Sequence, residues 1–328
     1  MTDENSDRDH PGSTTPDQER QSRADSEAHP LTTEAERYAR LAAEQPASLE
    51  GKQNRIVELL NTEAASASTE ERLHRRAAAS TALTRLADED VGTIMDHVDT
   101  LVDELRTERT REMPSEGPQM QTVSREVMDN LVRTLGLVIT EQPHVVAEIE
   151  DSAEFIHSIS PDLETETLRI ATEALFASAS ALQHPSAAVE ILGELLTYPD
   201  EVVQAWSAGA LGQLAEENPN TVAAVADDLR ALLDQDAETV QHNAVEALGA
   251  LVRERPDVVV PAAPALRDLL DHTAVAIQHN AAGVLGRLAE RHPEVVLPAV
   301  DAFKRLCDHD DEAVRNVAAA TLTRLADD

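Results

Sequence analysis

The sequence reads VQHNAVEALGAL at Val240–Leu251, IQHNAAGVLGRL at Ile277–Leu288 and VRNVAAATLTRL at Val314–Leu325, so that one pattern recurs every 37 residues. Within each copy, apolar residues stand at i, i+4, i+8 and i+11. This spacing is typical of one face of an amphipathic helix. A fixed period of this length predicts an array of stacked helical repeats.

Further positions share the 37-residue step and extend the pattern to an earlier copy. They are Val203, Val240, Ile277 and Val314; Leu211, Leu248, Leu285 and Leu322; Leu214, Leu251, Leu288 and Leu325; and Pro219, Pro256 and Pro293. Each proline comes before one of the helices quoted above and suits the first turn of another helix, the first one of the repeat. The missing N–H of proline has no partner at that position anyway. The segment from Pro256 to Leu270 therefore predicts a first helix, and Pro261 and Pro264 inside it predict a late start or a kink.

The helix that begins at Val240, Ile277 or Val314 resembles the second helix of a HEAT repeat, which typically reads V-R-x-x-A-x-x-A-L-G-x-L after an acidic turn. Arg315 matches the family arginine, whereas Gln241 and Gln278 stand at that position in the preceding repeats. The resemblance covers about residues 46–328. It implies an all-α fold, a right-handed α-solenoid of about seven HEAT-type helix pairs. First helices are expected to start near Pro46, Val91, Pro143, Pro185, Pro219, Pro256 and Pro293.

The register also predicts how the chain is organised. Residues 1–30 carry eight acidic and three basic residues and little apolar surface, so we expect a disordered acidic tail. A capping helix is expected at 31–45, degenerate repeats at 46–106, a loop with hinge character at 107–120, and further repeats at 121–328, most regular from 200 to 328. The recurring Leu-Gly pairs on the second helices, with Gly212, Gly249 and Gly286, indicate close helix packing.

The chain is strongly acidic, with 62 acidic and 27 basic residues and a formal net charge of -35. Lys52 and Lys304 are its two lysines. Both features are typical of proteins adapted to molar intracellular salt, where the Debye length falls to about 3 Å, so a halophilic archaeal source is expected. The acidity argues against direct binding to nucleic acids or anionic membranes. No signal peptide and no long apolar run occurs in the sequence, so the cytoplasm is the expected compartment.

The resemblance implies a concave face lined by second helices, which is the usual binding surface of such arrays. A Gln-His-Asn triplet occurs twice on it, one repeat apart and close to the single tryptophan. The candidate protein-binding residues are Trp206, Gln241, His242, Asn243, Glu246, Gln278, His279, Asn280 and Asn316. The triplets either form a ladder that binds an extended peptide, as the asparagines of armadillo repeats do, or bond neighbouring repeats. Trp206 is likewise either a packing residue or a binding hot spot.

Catalytic and metal-binding patterns are absent from the sequence. It contains no phosphate-binding loop, nucleophile elbow or dinucleotide fingerprint, and no H-x-x-H or H-E-x-x-H spacing. Deoxyhypusine hydroxylases, which resemble this array, bind iron through His-Glu dipeptides, and this chain has none. We therefore expect a non-enzymatic scaffold or adaptor with a protein partner and without a cofactor or metal. The alternatives are an accessory subunit of an enzyme or of a DNA-associated complex, and a lyase-like enzyme.

Overall fold

The computed structural model describes residues 29–63, 66–111, 118–148, 153–183 and 185–327. Within these ranges the chain forms helices and no strands. The α-helices are α1 (Pro30–Glu44), α2 (Gln53–Asn61), α3 (Thr69–Glu89), α4 (Val98–Arg109), α5 (Pro118–Glu141), α6 (Val145–Glu148), α7 (Ala153–Ser158), α8 (Thr165–Ser178), α9 (Pro185–Leu195), α10 (Glu201–Glu217), α11 (Pro219–Val222), α12 (Ala226–Ala231), α13 (Glu238–Glu254), α14 (Pro256–Val259), α15 (Ala263–Asp268), α16 (Val275–Leu288), α17 (Pro293–Val296), α18 (Val300–Leu306) and α19 (Glu312–Asp327). Short 3-10 turns lie at Pro46–Leu49, Val91–Thr93, Met95–His97, Ala179–Ala181, Ala223–Val225, Leu232–Asp234, Val260–Ala262, Leu269–Asp271 and Leu297–Ala299.

The helices pack in two layers in a repeat-like arrangement. In one layer each long helix contacts the next, in the order α1, α3, α5, α8, α10, α13, α16 and α19. In the other layer the shorter helices α2, α4, α9, α12, α15 and α18 each contact the long helix that follows them in the chain. The apolar core runs continuously between the layers, so each pair of helices depends on its neighbours for burial.

The first helices of the last three repeats are broken, as the prolines predicted for one of them. The chain from Pro256 to Asp271 runs through α14, a 3-10 turn that contains Pro261, α15 with Pro264 in its first turn, and a second 3-10 turn. The segment from Pro219 to Asp234 has the same break without an internal proline. The break is therefore a property of the repeat packing. Pro261 lies in the 3-10 turn and Pro264 in the first turn of α15, where a proline removes no helical hydrogen bond.

The helices near the two predicted boundaries can be stated directly. Helix α1 spans Pro30–Glu44, where a capping helix was expected at 31–45, and most of the expected tail, residues 1–28, lies outside the described residues. Helix α4 continues to Arg109 and α5 begins at Pro118, so both ends of the predicted 107–120 loop are helical. Leu105 is fully buried just before that point, which keeps the end of α4 attached to the core.

Polar links hold neighbouring repeats in register. Arg169 on α8 donates Nε to Asp200 Oδ1 at 3.1 Å and Nη2 to Oδ2 at 2.7 Å, and Asp200 also caps α10 by accepting from the Val203 amide. Asp200 thus makes the bidentate pair and the helix cap at once. The hydrogen bonds from Arg169 hold the pKa of the Asp200 carboxyl below its usual range.

A buried ion cluster joins α3 and α4. Arg76 donates Nη1 to Glu104 at 2.6 Å and Nη2 to Glu108 at 3.0 Å, and the Glu108 side chain is 1% exposed. Ser124 on α5 also donates to Glu108. Burial raises the pKa of Glu104, which lies beside both Arg76 and Glu108. Because a buried charge without its partner is costly, this cluster fixes the packing of α3, α4 and α5 against one another.

Candidate functional site: a groove along the long helices

A groove of about 730 Å³ opens along the layer of long helices. Its walls come from α10, α13 and α16, with Phe176 of α8 and Val317 of α19 at its two edges. We call this surface the groove and define it by positions that recur every 37 residues. The first row is Trp206, Asn243, Asn280 and Val317; the second is Gly209, Glu246 and Gly283; the third is Gln213, Ala250 and Arg287; and the fourth is Glu216 and Arg253.

The rows are stacked along the helix axes. Successive rows lie three, four and three residues apart in sequence. At about 1.5 Å of rise per residue, the first row is about 10 Å from the third and about 15 Å from the fourth. The groove is therefore long enough for three to five residues of extended peptide at about 3.3 Å each.

The first row begins with an aromatic pair. The rings of Phe176 and Trp206 have centroids 5.0 Å apart and planes inclined by 46°. A second cavity, of about 310 Å³, lies on the other side of Trp206 and is lined by Val202, Ala237 and Val240 among others. Val202 is 42% exposed, which is unusual for an aliphatic residue in this array. We call this cavity the Trp206 pocket, and it makes the indole accessible from two sides.

The asparagines continue the first row, and their side chains link adjacent repeats. Asn243 donates Nδ2 to the Ala205 carbonyl at 2.7 Å, and Asn280 donates Nδ2 to Glu246 Oε1 at 3.3 Å. His279 Nδ1 lies 3.2 Å from Asn280 Oδ1. Each asparagine therefore serves the packing between repeats, and both also line the groove. The first role is the inter-repeat bonding that was one of the two alternatives left open by the sequence, and peptide binding stays a prediction.

Gln241 and Gln278, which the sequence placed among the binding residues, are instead buried within their repeats. Gln241 donates Nε2 to the Leu233 carbonyl at 3.0 Å, and Gln278 donates Nε2 to the Leu270 carbonyl at 3.2 Å. Arg315, at the same repeat position, donates to the His309 and Asp310 carbonyls. All three side chains satisfy carbonyls at the turn between two helices, so the glutamines replace the arginine in a structural role.

His242 and Asn316 lie outside the groove. His242 Nε2 is 3.3 Å from Glu246 Oε1, one turn along α13, and Asn316 is exposed on α19. The sequence placed His242 among the candidate binding residues, but the face of α13 that borders the groove lies on the side of Asn243. The reason is that a long helix in the middle of the array packs against a long helix on each flank as well as against the other layer. Its exposed strip is therefore not directly opposite its apolar stripe.

The end of the groove that the fourth row forms is basic, and the sequence did not predict this. Arg253 and Arg287 line both the groove and a smaller cavity of about 260 Å³ whose other side chains include Glu290 and Arg291. We call this cavity the arginine pocket. Arg287 stays exposed at the rim, yet neighbouring helices desolvate its guanidinium enough to lower its pKa below its usual range. The charge of Arg253 lowers that pKa further, and Glu290 acts in the opposite direction.

Two other kinds of site were considered among the described residues, a metal site and a membrane-spanning helix. Among the described residues no three His, Cys, Asp or Glu side chains converge where they could hold a metal ion. None of the helices in the described ranges combines the length and apolar character needed to cross a membrane.

Comparison with known proteins gives structural neighbours only. No protein-family model and no curated protein matches the chain. A crystal structure of an engineered protein is similar over 92% of this chain and 96% of its own, with 18% identity and a TM-score of 0.46. A second engineered protein is similar over 84% of this chain and 97% of its own, with 20% identity and a TM-score of 0.43. The assignment of a function must therefore come from this chain's own residues.

Proposed function

We propose that this protein is a non-enzymatic scaffold of the HEAT-repeat type, an α-solenoid of about seven helix pairs, that binds a protein segment in extended form in the groove. The observation that carries the proposal is Gly283. A Cβ added there meets no atom within 4 Å, although the residue lies in the middle of α16. A glycine inside a helix costs about 1 kcal/mol relative to alanine, and no packing requirement offsets that cost here. Close approach of a ligand backbone to α16 supplies a reason for it.

The groups around Gly283 suit a peptide rather than a rigid small molecule. The groove is elongated, and Asn243 and Asn280 place amide groups in it from neighbouring long helices. Adjacent helices lie about 8–10 Å apart, which is close to the length of three extended residues. Side chains at such intervals can hydrogen-bond the peptide backbone while pockets take alternate side chains.

The test is a selection of displayed random peptides of about 12 residues on the full chain, followed by binding measurements with variants of Gly283. Gly283→Leu places a branched side chain in the groove. Gly283→Ala raises the helix propensity by a similar amount but adds only one methyl group. We expect Gly283→Leu to weaken the selected peptides at least about tenfold, or about 1.4 kcal/mol, and Gly283→Ala to weaken them far less.

A matched surface control comes from the last helix. Ala319→Leu adds the same side chain at an exposed position on α19 that does not line the groove. It should leave binding unchanged. Peptides that bind Gly283→Leu as tightly as the unaltered protein, or a selection that enriches nothing over that variant, would contradict a peptide-binding role for the groove.

A further inference from the structure

The arginine pocket is unusual for a chain with a formal net charge of -35. It brings together Arg253, Arg287 and Arg291 with one carboxylate, that of Glu290. Glu290 is already engaged by Arg324, whose Nε lies 3.3 Å from its Oε1. Arg253 has a long contact of 3.7 Å with Glu216. Within the described part of the chain, Arg287 and Arg291 have neither an ion pair nor a side-chain hydrogen bond.

Arginines elsewhere in the array have partners of two kinds. Arg169 is bidentate on Asp200, and Arg305 binds Asp271 at 2.9 Å. Others, such as Arg85 and Arg267, donate to backbone carbonyls instead. What distinguishes the arginine pocket is that its three arginines converge on one cavity. Stabilisation of a helix C-terminus accounts for basic residues in the last turns of α13 and α16. It does not require three arginines to converge on one cavity while two of them have no carboxylate partner.

We propose that the arginine pocket binds a carboxylate of the peptide that occupies the groove, while a large apolar side chain of the same peptide enters the Trp206 pocket. This inference rests on the proposed function and names the chemistry of the ligand. The guanidinium groups form a fork that matches a carboxylate in two parallel hydrogen bonds. The cavity opens into the groove through Arg253 and Arg287, which line both.

The two ends of the groove also fix the spacing of the ligand. Trp206 is in the first row on α10 and Arg253 in the fourth row on α13, so they are about 15 Å apart along the helix axes and about 8–10 Å apart across them, or about 18 Å in all. The ligand therefore carries its carboxylate about five or six residues from its apolar side chain, at about 3.3 Å per extended residue. Glu201 and Glu238 stand beside the Trp206 pocket, so the groove is acidic at that end and basic at the other. This polarity favours a peptide whose carboxylate points toward the C-terminal ends of α13 and α16.

The experiment uses the peptides selected above and a double-mutant cycle. For each peptide that Gly283→Leu weakens, its acidic residue is changed to the matching amide, and Arg287 is changed to methionine in the full chain. Titration calorimetry is carried out at a salt concentration where circular dichroism shows full helicity. We expect the acid-to-amide change to weaken binding to the unaltered protein at least about tenfold, and to the Arg287→Met protein less than about twofold.

Two further arms identify the carboxylate and control for charge. Amidation of the peptide's C-terminus tests whether the bound carboxylate is the terminal one or one on a side chain. The modification that weakens binding, amidation or the acid-to-amide change, identifies the group. Arg230→Met removes an arginine from α12 in the other layer, where it pairs with Asp227, and should not change the tenfold difference.

The outcomes separate this inference from the proposed function. Two results would overturn the carboxylate site and leave the peptide groove standing. One is groove-dependent peptides that show no preference for a carboxylate, and the other is a preference that survives Arg287→Met. A selection that yields no groove-dependent peptide would overturn both. Coupling between the acidic residue and Arg287, with the acidic residue at the stated spacing, would support both.

Discussion

Gly283 and Gly286 lie about one turn apart on α16, and changing each to alanine tests whether the groove and the helix interface are where the structure places them. A Cβ at Gly283 has open space, whereas a Cβ at Gly286 would lie 2.6 Å from Thr321 Oγ1 on α19. Thr321 is fully buried and donates to the Val317 carbonyl at 2.9 Å, so its hydroxyl cannot simply turn away. One substitution fills a groove, and the other pushes two helices apart.

The expected magnitudes follow from these two environments. Both substitutions gain about 1 kcal/mol of helix propensity, and this term cancels when the variants are compared with each other. Gly283→Ala should therefore be more stable than the unaltered protein by about 1 kcal/mol. Gly286→Ala adds an overpacking cost of about 1–3 kcal/mol, so it should be less stable than Gly283→Ala by that amount.

Urea unfolding followed by circular dichroism measures the difference, with the signal fitted for more than two states because repeat arrays lose cooperativity as they lengthen. The urea midpoint of the transition that includes α16 should be higher for Gly283→Ala than for the unaltered protein. The midpoint for Gly286→Ala should be lower than that for Gly283→Ala. If both variants are stabilised equally, Thr321 does not press on α16 and the close contact between α16 and α19 is wrong. If Gly283→Ala is strongly destabilised, the groove is not open at that residue.

Three further predictions concern charges. Because Arg169 lowers the folded-state pKa of Asp200, the contribution of Asp200 is present above its unfolded pKa of about 4 and is lost as the pH falls through the folded value. Asp200→Asn keeps the helix cap, so thermal melts between pH 5 and 3 should show a smaller acid dependence than the unaltered protein. Glu108→Leu leaves Arg76 buried with one partner fewer and should cost about 3 kcal/mol in urea unfolding, whereas Glu58→Gln at an exposed pair should cost less than about 1 kcal/mol. Finally, if the net charge reflects adaptation to salt, helicity at 222 nm should collapse as KCl falls from about 2 M to about 0.1 M, and a full signal at the lower concentration would contradict that origin.

Much of the helix arrangement was predictable because it depends on positions that repeat. The prolines at 219, 256 and 293 begin α11, α14 and α17, and the apolar stripe of Val240, Leu248 and Leu251 is buried as its spacing required. The face of the groove was predicted less well. The pattern of a single helix does not include its neighbours on both flanks, so it could not show that Asn243 lines the groove and His242 does not. It also could not show that Gln241 turns back to a carbonyl of its own repeat.

The arginine pocket could not be found from one helix at a time, since Arg253 and Arg287 occupy different rows on different helices. They meet because α13 and α16 pack side by side, so that a residue of the fourth row on α13 lies near a residue of the third row on α16. A signal did exist in the third row. Alignment at the 37-residue period places Gln213, Ala250 and Arg287 at one position, and that position changes in charge while the adjacent leucines do not.

Core positions and groove positions differ in how much their residue type varies from one repeat to the next. Four repeats place leucine at the same core position, at Leu211, Leu248, Leu285 and Leu322, since each must fill the same space between the same two layers. The first row of the groove, which has an equally fixed place in the repeat, instead carries tryptophan, asparagine, asparagine and valine. Packing alone would favour one residue type at a position that repeats, as it does in the core. A row in which aromatic, amide and aliphatic side chains follow one another is what a surface requires when each repeat contacts a different part of one extended ligand.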